Sequence, residues 1–294
     1  MKTEYVWTQD DLRLMGVHFQ GNDICVLSIH GMAGNIIENY YANVLGDRLA
    51  MEDYGFIYAH NRGHSHINDL AAKPIKDDNG FTYKRYGATY ELFSESEIDL
   101  KAWVNKCMEL GYKKIILLGH SLGCNKIVYY LSQNDPQGVV GIVFASPPDL
   151  VGMVETNNYQ PNHTQQLQEA KDLVSQGKPN ELINGNLWDW EDKSAASYLS
   201  LFSGNNEADN LPVSRNPEHW EQLEKIKQPI LAIMGEFDDI KIRDLHEDME
   251  LIKSKALNCP DYQIEFISGA NHNYENRENE LAQRIIKWLE GNNK

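Results

Sequence analysis

The chain has 294 residues, 41% hydrophobic and 24% charged, which is enough apolar material for one large globular domain or two small ones. Its formal net charge of −16 argues against a nucleic-acid or anionic-membrane surface, because both favour basic patches. Residues 1–16 contain no apolar signal-like region, and no later stretch approaches the length of a membrane span. The four cysteines form no C-x-x-C pair, so we expect free thiols, a reducing cytoplasm and no membrane partner.

Short apolar runs alternate with segments of helical spacing along most of the chain, a pattern typical of a parallel sheet with helices on both faces. Two short strands are expected within residues 5–20, and residues 64–86 are expected to form a polar loop punctuated by Gly and Pro. The further predicted strands are 24–29, 56–59, 115–118, 139–145, 230–234 and 262–267, and the predicted helices are 39–51, 88–110, 242–257 and 278–289.

The most informative stretch is residues 113–131, which reads KKIILLGHSLGCNKIVYYL. It places G-x-S-x-G between a buried strand and an apolar helix, the context of a nucleophile elbow. Side chains at Gly119 and Gly123 would clash with the neighbouring strand and helix. Ser121 is therefore the predicted nucleophile, although on the five letters alone it is equally readable as a helix N-cap between turn glycines.

A serine hydroxyl needs a base within hydrogen-bond reach and a third group that orients the base. Asp238 follows the predicted strand 230–234 and His272 follows the strand 262–267, so both should lie at the same sheet edge as Ser121. The predicted triad is Ser121, His272 and Asp238, in the chain order of this architecture. Asp239 competes for the acid role, its alternative being a helix cap.

Two backbone N–H groups should face the oxyanion of the tetrahedral intermediate. One belongs to Leu122, directly after the nucleophile, and the other to Met32 in the loop His30-Gly31-Met32. His120 adjoins the nucleophile but should point away from it. His64 and His66 can line the pocket, and with His60 they lack a fourth ligand of defined spacing, so no metal is expected.

Residues 149–228 interrupt two strands of the predicted sheet and are polar, helix-prone and locally aromatic. We read them as a helical lid on a core formed by 1–148 and 229–294, with a helical decoration as the alternative. The aromatic residues favour a partly apolar substrate: Tyr159, Trp188, Trp190, Tyr198, Phe202 and Trp220. Arg62, Lys84 and Arg85 can receive a carboxylate at the mouth or can be solvated loop cations. The expected substrate-contacting residues are His30, Gly31, Arg62, His64, His120, Trp188 and Trp190.

Six motifs together resemble the α/β-hydrolase family across almost the whole chain: HGMAG (30–34), NRGHS (61–65), GHSLG (119–123), SPP (146–148), GEFD (235–238) and GANH (269–272). The resemblance implies an eight-stranded, mostly parallel sheet, a Ser-His-Asp triad and no cofactor. A narrower likeness, carried by GHSLG before VYYL and by SPPDL, is to siderophore- or secondary-metabolite-esterase-like members.

The leading hypothesis is a serine esterase that cleaves a small, partly apolar carboxylic ester through acyl-Ser121. A thioesterase or acyltransferase would use the same triad with another acceptor. A C–C hydrolase or lyase with His272 as base, or a non-catalytic small-molecule binder, would use the same fold. Monomer and homodimer both remain open.

Overall fold

The computed structural model describes residues 1–76, 80–156 and 160–292. Its main sheet has eight strands in the order β1-β2-β4-β3-β7-β8-β9-β10, and β5 and β6 form a separate hairpin. The strands are β1 Lys2–Trp7, β2 Arg13–Phe19, β3 Ile24–Ile29, β4 Gly55–Ala59, β5 Asn68–Lys76, β6 Gly80–Tyr86, β7 Lys114–His120, β8 Val139–Ala145, β9 Ile230–Gly235 and β10 Tyr262–Ile267. In the main sheet, neighbouring strands of the series β4-β3-β7-β8-β9-β10 pair in parallel, and β1 and β2 are antiparallel at one end.

Helices cover both faces of the sheet because successive residues of a strand point to opposite faces, and in the central strands both sets of residues are apolar. Alternate strand residues such as Leu27, Leu117 and Phe144 belong to one core cluster, and the residues between them belong to the other. The helices are α1 Tyr40–Met51, α2 Ser96–Glu109, α3 Leu122–Gln133, α4 Leu150–Glu155, α5 His163–Ser175, α6 Ala195–Phe202, α7 Glu221–Glu224, α8 Leu245–Lys255 and α9 Glu278–Asn292. α2, α3 and α8 pack on the first face, and α1 and α9 on the second.

Three predictions about local structure are wrong. The expected loop 64–86 contains the hairpin β5–β6, whose antiparallel pairing the polar composition did not reveal. The helix expected from residue 88 begins at Ser96, because Gly87 adopts φ +93° in a turn and Leu92 is extended. The helix expected from residue 242 also begins later, at Leu245, where Asp244 accepts hydrogen bonds from two backbone N–H groups as its N-cap.

Four helices, α4 to α7, lie between β8 and β9. α4 and α6 build a third apolar cluster with Leu122 and Phe93 of the body. Trp220, just before α7, packs instead into the main core. Helices α4 and α6 therefore sit on the sheet edge where α3 begins. Within the described residues, every helix is too short or too polar to cross a membrane.

Candidate active site

Ser121 occupies a tight junction between β7 and α3. Its backbone has φ +53° and ψ −128°, a region that non-glycine residues seldom adopt. The serine N–H donates to the carbonyl of Ala145 at 2.9 Å, and its carbonyl accepts from the N–H of Cys124 at 2.8 Å. These bonds to the neighbouring strand and helix hold the strained residue in place, with its side chain in a cavity at the sheet edge.

The two glycines of the elbow are required by close backbone approach. A Cβ on Gly123 would lie 2.1 Å from the carbonyl oxygen of Ile29 in β3. A Cβ on Gly119 would lie 2.6 Å from the backbone nitrogen of Cys124 in α3. Neither neighbour can move without breaking sheet or helix hydrogen bonds, so only glycine fits at both positions.

Gly123→Ala should therefore destabilise the protein. The added methyl group must displace β3 or α3, and overpacking of this kind typically costs about 1–3 kcal/mol of unfolding free energy. Gly291→Ala in α9 is the matched control, since nothing lies within 4 Å of its Cβ position. Thermal or urea unfolding of both variants measures the difference. Equal stability of the two would contradict the packing argument.

His272 and Asp238 are hydrogen-bonded to each other. His272 Nδ1 lies 3.0 and 3.1 Å from the two carboxylate oxygens, and the Asp238 side chain is fully buried. Burial alone would raise the pKa of Asp238, but hydrogen bonds from His272, Ser146 and the Ile240 N–H outweigh it and hold that pKa below its ordinary value. Asp238 is thus an ionised partner for His272. Of the two candidates for the acid role, Asp238 is the one hydrogen-bonded to His272, whereas Asp239 lines the cavity.

His120 is buried behind His272. Its Nε2–H donates to the backbone carbonyl of His272 at 2.8 Å, and the two rings are 5.0 Å apart. Burial lowers the pKa of His120 to about 3, so its ring is neutral, and nearby His272 adds to this effect. His120 therefore fixes the loop that carries His272, and it also lines the cavity.

The loop after β3 approaches Ser121 closely. A Cβ on Gly31 would lie 2.9 Å from Ser121 Cβ and 3.1 Å from the His120 carbonyl oxygen. Gly31, Met32 and Leu122 all line the cavity beside Ser121. Leu122 is also the first residue of α3, where backbone N–H groups have no partner within the helix. This arrangement is compatible with the predicted pair of oxyanion donors, Met32 and Leu122, whose role stays a prediction.

The cavity has a volume of about 700 Å³ and contains both Ser121 and His272 in its wall. Leu150 and Met153 of α4 and the tryptophans Trp188 and Trp190 form its apolar side. Tyr198 and Phe202 pack in the core of the insertion, away from the cavity wall. The predicted contribution of Tyr159 lies outside the described residues.

Three expected substrate-contacting residues are placed elsewhere, which corrects the prediction for them. His30 is fully buried, where its Nε2 accepts from the Asn61 N–H at 3.1 Å. His64 stacks on the ring of His60 at 4.6 Å. Arg62 is only 1% exposed and pairs with Asp10, Asp99 and Glu95. Lys84 and Arg85 line a separate groove beside β6, where Arg85 pairs with Asp69.

Arg62 is consequently a structural residue, and Arg62→Met should lower the unfolding free energy by about 3–5 kcal/mol, because it leaves Asp99 buried without its cation. Arg85→Met removes an exposed, solvent-screened arginine–aspartate pair and should leave the stability close to that of wild type. Chemical denaturation of the two variants makes the comparison. A loss of similar size in both would contradict the account of Arg62.

His66 also lines the cavity, bonded to a buried carboxylate that sequence reasoning missed. Its Nδ1 lies 2.5 Å from Glu191, which is 125 positions away, so no local spacing could have revealed the pair. The described residues contain no group of three or more His, Cys, Asp or Glu placed to hold a metal ion.

Comparison with solved structures shows the α/β-hydrolase fold. An esterase of Pyrococcus furiosus matches with a TM-score of 0.63 and 19% identity over 98% of this chain and 89% of its own. Est1E of Butyrivibrio proteoclasticus with ferulic acid bound matches with a TM-score of 0.62 and 13% identity over 97% of both chains. A monoacylglycerol lipase of Paleococcus ferrophilus has a TM-score of 0.56 and 19% identity over 94% of this chain and 98% of its own. The protein is thus an α/β-hydrolase by fold.

Comparison with protein-family models assigns the chain to a family. Residues 96–290 match the family described as protein of unknown function (DUF1749), and the chain belongs to that family. No curated protein matches the sequence significantly.

Proposed function

We propose that the protein is a serine hydrolase that cleaves a carboxylic ester through an acyl-Ser121 intermediate. The observation that carries the proposal is the His272–Asp238 hydrogen bond in the cavity wall that also contains the strained Ser121. With Nδ1 bound to Asp238, Nε2 is the ring nitrogen available to the serine hydroxyl. This is the arrangement that a poorly nucleophilic hydroxyl requires.

In the proposed reaction, Ser121 Oγ attacks the ester carbonyl while His272 Nε2 accepts its proton. The carbonyl electron pair moves to oxygen, where the N–H groups of Met32 and Leu122 stabilise the oxyanion. The intermediate then expels the alcohol, which takes the proton back from His272. A water molecule, deprotonated by His272, then attacks the acyl carbon. Collapse of this second intermediate breaks the bond to Ser121 Oγ, which takes the proton from His272, and the acid is released. Asp238, kept ionised, stabilises the imidazolium in both halves.

We further propose that residues 149–228 act as a lid on the core formed by 1–148 and 229–294. Support comes from α4 and the loop with Trp188 and Trp190, whose residues line the same cavity as Ser121 and His272. These apolar walls suit a partly apolar acyl or alcohol group. The structural neighbours named as esterase and lipase agree with ester chemistry. The four cysteines are free, which agrees with a reducing cytoplasm.

Turnover of p-nitrophenyl esters from acetate to long acyl chains tests the proposal. We expect hydrolysis with an optimum at short or medium chains, because a cavity of about 700 Å³ lined by the bulky Trp188 and Trp190 limits the length of chain that fits. Release of p-nitrophenol that needs an added alcohol or thiol would move the assignment to acyl transfer. No release and no acylation of Ser121 with any ester would overturn it.

A further inference from the structure

A second histidine–carboxylate pair faces the candidate active-site cavity. His66 lies in the cavity wall with its side chain 57% exposed, and its Nδ1 is 2.5 Å from Glu191 Oε2. The Glu191 side chain is fully buried and also accepts from Thr89 Oγ1 at 3.1 Å. A buried carboxylate thus fixes the ring by one nitrogen and leaves Nε2 for a ligand.

Three chain segments hold this pair rigidly. The His66 carbonyl accepts from the Thr89 N–H and shares the single hydroxyl proton of Thr89 with Glu191, and the Thr89 carbonyl accepts from the Ser194 N–H. Buried Lys193 donates to the Ala88 carbonyl at 2.5 Å. The N–H of Ser65 donates to the Ala33 carbonyl at 3.0 Å, which ties His66 to the predicted oxyanion loop. Because this framework fixes its position, the exposed imidazole of His66 is preorganised for binding.

The segment that contains Glu191, residues 187–191, also places two aromatic side chains in the cavity wall. Leu187 and Glu191 close a short loop by mutual backbone hydrogen bonds, and Trp188 and Asp189 have φ of +53° and +64°. The Trp188 and Trp190 rings are 6.4 Å apart, and Trp190 packs edge-on to His66 at 5.6 Å. Trp188 Nε1 is buried, and no acceptor for it exists among the described residues. A planar group with polar substituents would match these surfaces.

We propose that His66 determines substrate specificity by hydrogen-bonding, through Nε2, a hydroxyl group on an aromatic part of the ester held against Trp188 and Trp190. The proposal rests on the proposed ester hydrolysis and adds the substrate class to it.

A hydroxyl is favoured because it can both donate and accept, so it bonds Nε2 whether the imidazole is neutral or protonated. A carboxylate ligand is disfavoured by Glu38 and Asp189 in the same wall. Among the described residues that line the cavity there is also no lysine or arginine to offset them. An ammonium group can only donate, so it could bond Nε2 in the neutral form of the ring alone.

The test compares two pairs of esters. One pair carries the hydroxyl on the acyl side, methyl para-hydroxyphenylpropanoate against methyl phenylpropanoate, and the other carries it on the alcohol side, para-hydroxyphenethyl acetate against phenethyl acetate. The readout is the ratio of kcat/KM within each pair for wild type, His66→Phe, His66→Gln and the distant control His246→Phe, whose imidazole stacks on Phe266. Reaction of Ser121 with a fluorophosphonate shows separately that each variant retains its elbow.

We expect wild type and His246→Phe to prefer the hydroxylated ester in one pair by roughly tenfold, the value of one net hydrogen bond. His66→Phe should abolish that preference, and His66→Gln should restore part of it. Three outcomes would overturn the inference and leave the proposed hydrolysis standing. They are the absence of a preference in wild type, a preference that survives in His66→Phe, and a protein whose Ser121 reacts but which hydrolyses none of the four esters. Failure of Ser121 to react would instead overturn the proposed function.

Discussion

Ser121→Ala should abolish ester hydrolysis, with kcat falling by about 10⁴- to 10⁶-fold. The side chain supplies the only atom that bonds to the substrate in the proposed reaction. An alanine leaves the cavity, the glycine packing and the His272–Asp238 bond in place, so binding should survive the loss of chemistry. KM for the best p-nitrophenyl ester, or the Kd of its acid product, should change by less than about threefold.

Ser132→Ala is the matched control for this loss. Ser132 lies in the same helix α3, where its hydroxyl donates to the carbonyl of Tyr129 at 2.7 Å and accepts from Gln133 Nε2 at 3.1 Å. Its activity should equal that of wild type. A Ser121→Ala protein that retains more than about a tenth of the wild-type kcat would contradict the nucleophile assignment, since no triad enzyme keeps such a rate without its serine.

Asp238→Asn should lower kcat by about 10³- to 10⁴-fold. The amide keeps the shape of the side chain but cannot stabilise the imidazolium, and it favours the wrong tautomer of His272. Although Asp238 is fully buried, its hydrogen bonds hold its pKa below the ordinary value, so the wild-type group remains a carboxylate at the neutral pH of the assay.

The neighbouring carboxylate provides the control. Asp239→Asn changes the charge of the cavity wall without touching the His272 Nδ1 bond, so kcat should fall by less than about tenfold. Stopped-flow or steady-state assays of the two variants with one ester decide the matter. The reverse ranking would transfer the orienting role to Asp239.

Features with a local signal were predictable from the sequence. The glycines flanking Ser121 and the apolar run before it define a strand–turn–helix by themselves, and Asp238 and His272 each follow a strand by a few residues. The carboxyl ends of parallel strands lie on one edge of a sheet. The position of each residue after a predicted strand was therefore enough to predict that the three lie in one region. The alternating apolar strands and the helix spacing likewise predicted helices on both faces.

Features that depend on tertiary pairing were not predictable. Arg62 reads as a loop cation because its partners, Asp10 and Asp99, are 52 and 37 positions away. The hairpin β5–β6 reads as a loop because its residues are largely polar or small. Glu191 has no local pattern that points to His66. In each case the structure depends on an interaction between segments that are distant in sequence. The local amino-acid composition indicates only how exposed such a segment is on average and does not identify its partner.

The most direct test of acyl-Ser121 chemistry is to label the protein with a phosphonate analogue of its best p-nitrophenyl ester and map the adduct by peptide mass spectrometry. We predict one stable adduct, on the peptide that contains residues 119–123, at Ser121. Excess ester should block its formation, and hydrolysis should fall in step with labelling. An adduct on any other residue, or hydrolysis that continues after complete labelling of Ser121, would contradict this account.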